Sequence, residues 1–229
     1  MAVHRPRRTH HRYVDRRDAG RVLAGLLQEL KPENPLVLGL PRGGVPVAAE
    51  VAFALDAPLD VVVVRKLGFP GHPETAMAAL ASAAGSTELV RNEDLLVELG
   101  RLEHGQRLFD ETLARETLEL ERREKEYRGH RPPLAVRGRV VVVVDDGLAT
   151  GSTMRAAIAA LRAFAPLRIV AAVPVGAQAA VRRLEGLADV VVCPWQPENF
   201  RAVGAEYEHF GQTSDEEVRS LLAETSGPH

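Results

Sequence analysis

The sequence contains one cysteine, Cys193, among 229 residues. A single thiol cannot form an internal disulfide, and sparing use of cysteine is typical of proteins from a reducing compartment. Aromatic residues make up only 4% of the chain, and no apolar run reaches the roughly 18–20 residues that a membrane-spanning helix needs. We therefore expect a cytoplasmic protein without a membrane segment.

Neither sign of charge dominates, because 29 Lys and Arg residues stand against 31 Asp and Glu residues and give a net charge of −2. Such a balance carries no overall bias toward nucleic acids or membranes. Residues 1–12 are nevertheless basic and are predicted to form a flexible arm that lacks the apolar stretch of a secretory signal. Arginines in and just after this arm, among them Arg16 and Arg17, could contact RNA, although a structural use is favoured. Residues 13–229 are long enough for a single domain with one core.

Short apolar runs alternate with segments of helical periodicity along most of the chain. Strands that are apolar throughout their length are typical of a parallel sheet that is covered by helices. The fold class is therefore predicted as α/β, with an open, mostly parallel sheet and helices on both faces. The predicted strands are 36–40, 59–64, 139–144, 168–175 and 189–193, and the main predicted helices are 15–30, 45–55, 153–164 and 179–187.

Other segments depart from this alternation. Residues 65–75 are rich in Gly and Pro and are predicted to be a mobile loop. Short strands are predicted at 76–82 and 87–90. A last helix is predicted after Ser214, because Glu217 stands at the capping-box position relative to that serine.

Residues 93–128 are dense in charge and Leu and are predicted to form a helical insertion. Gly100 and Gly105 divide this stretch into a short and a long helix. An apolar stripe along it indicates either a core face or a dimer face. The stripe consists of Phe109, Leu113, Leu120 and Tyr127.

Two adjacent carboxylates, Asp145 and Asp146, follow the most apolar predicted strand, Val140–Val144. Ligands of open parallel sheets bind at the carboxyl ends of the strands, so both acids are expected at a ligand site. The next seven residues contain two glycines and three hydroxyl side chains. Such a loop lets backbone N–H groups converge on a phosphate, and the N-terminus of the following helix adds partial positive charge. The predicted phosphate-binding residues are Gly147, Leu148, Ala149, Thr150, Gly151, Ser152 and Thr153.

The two acids and the loop place different demands on a ligand. Carboxylates would repel a phosphate that faced them, but they suit the hydroxyl groups of a sugar. A ribose 5-phosphate meets both demands, with its phosphate in the loop and its 2′- and 3′-hydroxyls on Asp145 and Asp146. The alternative is an acidic turn that only caps the next helix. A P-loop is excluded because the loop has no Lys, and a dinucleotide fingerprint is excluded by the glycine spacing.

The stretch 140–153 resembles the signature that binds phosphoribosyl diphosphate (PRPP) in the type I phosphoribosyltransferases. That signature is an apolar strand, two acids and a loop that ends in Thr-Gly-x-Thr. The key positions of that signature are occupied in this chain by Asp145, Asp146, Thr150, Gly151 and Thr153. The whole chain is similar to a branch of this family whose substrates are not generally assigned, through the segments DRRDAGRVLA, LPRGGVPVAAEVA, DDGLATGSTM and FRAVGAEYEHFGQTSDEEV. The resemblance implies the type I fold, with a C-terminal hood over the site.

The resemblance also implies roles for residues outside the acidic stretch. The PRGG turn, with Arg42, Gly43 and Gly44, corresponds to the family's diphosphate loop, and a fork-shaped guanidinium between a strand and a helix suits that role. Arg65 and Lys66 correspond to a basic pair beside a mobile loop and would contact the diphosphate. Plain surface charge is the alternative for all three cations. The predicted catalytic residues are thus Asp145, Asp146, Arg65 and Lys66.

The implied function is transfer of ribose 5-phosphate from Mg²⁺–PRPP to a nitrogenous acceptor, with release of diphosphate. Mg²⁺ would be held mainly by substrate oxygens, so no direct protein ligand for the metal is predicted. Trp195 and Phe200 are candidates for stacking on the acceptor, with core packing as the alternative. Ala149 stands where the hypoxanthine–guanine branch usually carries an Asp, which argues against those two acceptors.

Two other functions remain open. One is a non-catalytic regulator that binds PRPP or a nucleotide, and the other is an RNA-binding regulator on the same scaffold, since a fold alone does not decide function. The expected partners are PRPP, a small nitrogenous acceptor and a second copy of the chain in a homodimer. Nucleic acid is not favoured as a partner, and no membrane partner is expected.

Overall fold

The computed structural model describes residues 12–83, 85–129, 131–132 and 134–224. Nearly all of the predicted basic arm lies outside these residues, so its flexibility stays a prediction. The strands within the described part are β1 Leu36–Gly39, β2 Leu59–Val61, β3 Val63–Phe69, β4 His72–Ala83, β5 Ser86–Arg91, β6 Val140–Val144, β7 Arg168–Ala172 and β8 Val190–Val192.

Helices connect most of these strands. They are α1 Arg16–Leu27, α2 Gly44–Leu55, α3 Glu93–Gly100, α4 Gly105–Arg128, α5 Ser152–Ala163, α6 Gln178–Leu184 and α7 Asp215–Glu224, with short 3₁₀ helices at Gln28–Glu33 and Val203–Glu206. Among the residues that the structure describes, no helix combines the length and apolar character needed to cross a bilayer.

The central sheet is parallel and has the strand order β2-β1-β6-β7-β8. Side chains of a strand alternate between the two faces of a sheet, and β6 shows this directly. Val140, Val142 and Val144 pack with the helices α1, α2, α4 and α7, whereas Val141 and Val143 pack with α5 and α6. The predicted α/β fold with helices on both faces is therefore confirmed.

The strand order reverses between β1 and β6. The chain moves from β1 outward to β2 and then returns to the other side of β1 to form β6, β7 and β8. A crevice opens at the carboxyl ends of the two strands that flank such a reversal, and ligands of open α/β sheets bind there. The loop after β1 and the loop after β6 both lie at this point.

The prediction of one strand over 59–64 and a mobile loop over 65–75 is wrong. The chain leaves the parallel sheet after β2 and forms an antiparallel sheet in the order β3-β4-β5. The Gly/Pro-rich residues belong to a tight hairpin, in which Pro70 and Gly71 join Phe69 to its partner His72. Gly71 has φ +77°, and Pro followed by a glycine in this conformation is typical of a type II turn. Gly and Pro here mark a turn between two strands.

The helical insertion is confirmed, with α3 and α4 separated near Gly100 and Gly105 as predicted. Phe109, Leu120 and Tyr127 of its apolar stripe are buried in the core, and Leu113 is partly buried against it. The core alternative for the stripe is thus the one that the structure supports.

Helix α7 begins after Ser214, whose Oγ accepts a hydrogen bond from the N–H of Glu217 at 3.0 Å. We expect Ser214→Ala to lower the free energy of unfolding by about 1 kcal/mol, because the replacement leaves that donor without its cap. Urea unfolding followed by circular dichroism measures the change, and Ser214→Asn, which keeps a capping oxygen, is the control. Equal midpoints for the alanine variant and the wild type would contradict the capping role.

Candidate active site

Two glycines let the PRGG turn, residues 41–44, approach the end of β6 closely. A Cβ atom on Gly44 would lie 2.7 Å from the carbonyl oxygen of Val144 and 2.9 Å from Cα of Asp145, and one on Gly43 would lie 2.1 Å from Oδ2 of Asp146. Real Cβ atoms do not tolerate such distances. The turn and the two acids, which are a hundred positions apart in sequence, therefore share one edge of the crevice.

The acidic loop, residues 145–151, is fixed to the neighbouring connection after β7. The Leu148 N–H donates to Val175 O at 2.9 Å, and Leu148 O accepts from Ala177 N–H at 2.8 Å. The Leu148 side chain is buried, and its N–H already has an acceptor. This residue therefore anchors the loop, and the prediction that it donates to a phosphate is not supported. Gly147 lies against Val203, which leaves no space for a side chain.

Four of the other predicted phosphate-binding residues have free backbone N–H groups. Within the described part of the chain, the N–H groups of Ala149, Thr150, Gly151 and Thr153 have no hydrogen-bond acceptor. Gly151 has φ +77° and immediately precedes α5, so these donors stand at a helix N-terminus. Several free N–H groups at such a position form an anion site.

The structure separates the predicted basic pair. Lys66 Nζ donates to Ser152 Oγ at 3.0 Å, and Ser152 Oγ is 3.2 Å from Thr150 Oγ1, so Lys66 lies beside the free N–H groups. Arg65 instead bonds to Glu116 of α4, through Nε at 2.8 Å and Nη2 at 2.6 Å. Neighbouring side chains of a strand point to opposite faces, which explains why the two cations reach different partners.

Arg42 is held more loosely than either of these cations. Its Nη1 lies 3.8 Å from Oδ2 of Asp215 at the start of α7, and both side chains are about one-third exposed. Asp215 also accepts a hydrogen bond from the Tyr127 hydroxyl at 2.9 Å. Within the described residues, the N–H groups of Arg42 and Gly43 have no acceptor. The PRGG turn thus offers one cation and two backbone donors to the crevice.

The two acids are partly buried. Burial, and next the charge of Asp146, raise the pKa of Asp145 well above its usual value. Burial also raises the pKa of Asp146, although Arg16 acts in the opposite direction through an ion pair of 2.8 Å from Nε to Oδ2. The sequence favoured a structural use of Arg16 over a contact with RNA but did not identify this partner, since no local pattern indicates a contact 130 positions away.

We expect Asp145→Asn to raise the melting temperature of the free protein at pH 8. A carboxyl whose pKa is raised by folding destabilises the fold as the pH rises through that pKa, because the folded state then contains a charge that the unfolded state solvates better. Asparagine cannot ionise and keeps an oxygen for the N–H of Asp146, which donates to Asp145 Oδ1 at 2.9 Å. Each 1 kcal/mol corresponds to roughly 2–4 °C in a domain of this size.

Calorimetric scans at several pH values measure this difference, which should shrink as the pH falls and the wild-type carboxyl becomes protonated. A melting temperature below that of the wild type at pH 8 would show that the ionised Asp145 stabilises the fold.

Aromatic residues that follow β8 pack beside this edge of the sheet. Trp195 and Phe200 pack with Tyr13, Val175 and Tyr207 in a small core of their own, which supports the core alternative for both, and their role in acceptor stacking stays a prediction. Trp195 Nε1 also donates to Glu206 Oε2 at 2.8 Å.

Two other aromatic residues after β8 contact Asp146 or its partner Arg16. The Tyr207 hydroxyl donates to the carbonyl oxygen of Asp146 at 2.5 Å, and the ring centroid of Phe210 lies 3.9 Å from Cζ of Arg16.

The described part of the chain contains no group of three or more His, Cys, Asp or Glu side chains that could hold a metal ion. Cys193 is buried, which raises the pKa of its thiol to about 12, so it is a structural residue.

A family model described as "Phosphoribosyl transferase domain" matches residues 13–208. The chain belongs to this family. The family predicted from the sequence is therefore confirmed. The matched range of the phosphoribosyl transferase domain contains the PRGG turn and the acidic loop, and it ends two residues before Phe210.

The phosphoribosyl transferase domain has relatives of similar sequence. It is 46% identical over 214 residues to proteins named "Putative phosphoribosyl transferase" in two strains of Mycobacterium tuberculosis, strains CDC 1551 / Oshkosh and H37Rv. These alignments cover 92% of this chain but 46% of each relative, so the chain spans about half the length of these curated relatives. The crystal structure of TT1426 from Thermus thermophilus is also 46% identical, with a TM-score of 0.84 over 94% of this chain and 100% of that chain.

Proposed function

We propose that this chain binds Mg²⁺–PRPP and transfers its ribose 5-phosphate to a nitrogenous acceptor, with release of diphosphate. The observation that carries the proposal is the meeting of three features at the reversal of strand order: free backbone donors before α5, two partly buried acids, and the glycine turn after β1. Each feature suits one part of PRPP, and all three lie within the range that the family model matches.

The 5-phosphate is assigned to the free N–H groups of Ala149, Thr150, Gly151 and Thr153, with Lys66 alongside. The ribose hydroxyls are assigned to Asp145 and Asp146, whose carboxylates accept hydrogen bonds that a phosphate could not offer. The diphosphate then lies toward the PRGG turn. Donors of that turn, together with Mg²⁺ that enters with the substrate, would neutralise the departing charge.

The reaction breaks the bond from C1 of the ribose to the diphosphate oxygen, and the bonding electron pair leaves with diphosphate. A lone pair of the acceptor nitrogen forms the new C1–N bond, and the proton displaced from that nitrogen passes to solvent or a base. Positive charge develops on the sugar as the leaving group departs. Carboxylates at the ring hydroxyls stabilise that charge, because opposite charges attract strongly where water is excluded.

A diphosphate-release assay with Mg²⁺–PRPP and a panel of purines, pyrimidines and other nitrogenous acceptors tests this proposal. We expect release with at least one acceptor and loss of release in Asp146→Asn. Calorimetric binding of PRPP without release for any acceptor would favour the non-catalytic regulator. The RNA-binding alternative requires affinity that falls steeply with salt and disappears when residues 1–12 are deleted. The cytoplasmic location and the homodimer stay predictions.

Hypoxanthine and guanine are expected to be poor acceptors. Ala149 is exposed in the acidic loop and has no group that could accept a proton from the acceptor, while the two acids of that loop are assigned to the sugar. General acid–base help is typically worth about 10²–10⁴-fold in rate. Steady-state assays with both bases measure the effect, and efficient formation of inosine or guanosine monophosphate would contradict this reading of Ala149.

A further inference from the structure

We infer that Arg16 is a positioning residue of this site: it fixes the Asp146 carboxylate for the sugar hydroxyls, and residues 207–211, the closing segment, fix Arg16 in turn. This inference rests on the proposed function, because Asp146 is assigned there to the ribose. Arg16 itself is not assigned to any contact with the substrate.

Three different contacts hold the Arg16 guanidinium. Its Nε bonds to Oδ2 of Asp146 at 2.8 Å, its Nη1 donates to the carbonyl oxygen of Gly211 at 2.6 Å, and its Cζ lies 3.9 Å from the ring centroid of Phe210. The side chain is only 13% exposed, whereas that of the next residue, Arg17, is 51% exposed. Because the bond uses Oδ2 alone, Oδ1 of Asp146 is left for a sugar hydroxyl.

Pairing of residues 13–14 with residues 206–209 sets the position of Arg16. Tyr13 N–H donates to Glu206 O at 2.9 Å, Glu208 N–H donates to Tyr13 O at 2.8 Å, and His209 N–H donates to Val14 O at 2.9 Å. Asp15 then caps α1 by accepting from the N–H of Asp18, which places Arg16 in the first turn.

Asp146 is therefore held at two points, by α1 and by the closing segment. Arg16 contacts its carboxylate, and the Tyr207 hydroxyl contacts its carbonyl oxygen. Phe210 and Gly211 lie beyond the range of the family model, which ends at residue 208. The closing contacts of Arg16 are thus made by a part of this chain that the family match does not include.

The charges around Asp146 explain why Arg16 matters. The groups that face it are Asp145 from the same loop, Tyr207 from the closing segment and Arg16 from α1. Burial raises the pKa of Tyr207 well above its usual value, so the phenol stays neutral. Among the described residues, Arg16 is the only cation within ion-pair distance of either acid. Without it, two adjacent, partly buried carboxylates would face each other uncompensated, and one would take up a proton at higher pH.

The test compares Arg16→Gln, which removes the charge, with Arg16→Lys, which keeps it, and with Arg17→Gln as the matched control on the same helix. Two quantities are measured: calorimetric affinities for PRPP and for inorganic phosphate between pH 5 and 9, and the ¹³C titration of the Asp146 carboxyl in the free protein. For Arg16→Gln we expect a loss of at least about tenfold in PRPP affinity at neutral pH, with little change for phosphate. The acid limb of PRPP binding and the carboxyl titration should both move to higher pH. Arg16→Lys should restore most of both, and Arg17→Gln should match the wild type.

Several results would overturn the inference: a wild-type carboxyl titration in Arg16→Gln, an equal loss of phosphate and PRPP affinity, or the same shift in Arg17→Gln. If the wild type itself does not bind PRPP, the proposed function fails, but the carboxyl titration still decides whether Arg16 controls Asp146. Should Arg16→Gln not fold, Phe210→Leu serves in its place, because it retains the guanidinium and removes only the ring that packs on it. A shift of the titration in the same direction then supports the inference, and an unchanged titration overturns it.

Discussion

Replacing Gly44 with alanine is expected to reduce the affinity for PRPP by about a hundredfold. The new Cβ would lie 2.7 Å from the carbonyl oxygen of Val144 and 2.9 Å from Cα of Asp145, and neither backbone atom can move without shifting β6 or its loop. The PRGG turn and the acids must therefore separate, which withdraws the N–H groups of the turn from the diphosphate. A hydrogen bond to a charged group is worth about 1.5–3 kcal/mol, so losing two of them at the lower value corresponds to roughly a hundredfold. The overpacking itself should lower stability by about 1–3 kcal/mol.

Gly25→Ala is the matched control for this change. Gly25 lies in α1, and a Cβ added there would have no heavy atom within 4 Å, so alanine should leave binding unchanged and stabilise the helix by up to about 1 kcal/mol. Calorimetric titration with PRPP and thermal unfolding report the two effects separately. A Gly44→Ala protein that is less stable but binds PRPP normally would show that the spacing of the two loops does not matter for the ligand.

The second large effect is expected for Asp146→Asn. Loss of a hydrogen bond to a charged group costs about 1.5–3 kcal/mol, which corresponds to roughly 10- to 150-fold weaker binding of ribose 5-phosphate or PRPP. Inorganic phosphate should bind almost as before, because it occupies the N–H groups and makes no contact with the acid. Asp94→Asn, on the distant helix α3, controls for the change in net charge.

Comparison of the two ligands makes this experiment specific. If inorganic phosphate lost as much affinity as ribose 5-phosphate, Asp146 would act by shaping the loop, and the assignment of the sugar to this acid would fall. Circular dichroism of the variant excludes a general loss of structure as the cause.

The parts of the fold that sequence could predict are those that depend on short-range pattern. Five consecutive valines are β-branched and too few for a typical helix, so they predict a buried strand. The glycines and hydroxyls that follow Asp146 predict the loop and the start of α5. The antiparallel sheet was missed because Val63 and Val64 continue the apolar run of β2, so no local pattern indicates that the chain changes sheets at Val62. The choice of partner strand is made by long-range packing.

Only those parts of the site whose chemistry lies within one short segment could be predicted from the sequence. The acidic loop and the PRGG turn were found because each carries its chemistry within a few residues. The partners of Arg16 and Arg65 were not, since Asp146 and Glu116 lie 130 and 51 positions away from them. An arginine in a basic stretch looks the same in sequence whether it faces solvent or a buried acid.

The pairing of residues 13–14 with residues 206–209 has a consequence for biogenesis. Arg16 and Gly211, which meet above Asp146, are 195 positions apart, and synthesis proceeds from the N-terminus at about 5–20 residues per second. The acidic loop leaves the ribosome well before the residues that close over it. A nascent chain can therefore form the N–H cluster for phosphate while its acids remain uncovered, and the complete site exists only once residues 207–211 have been made.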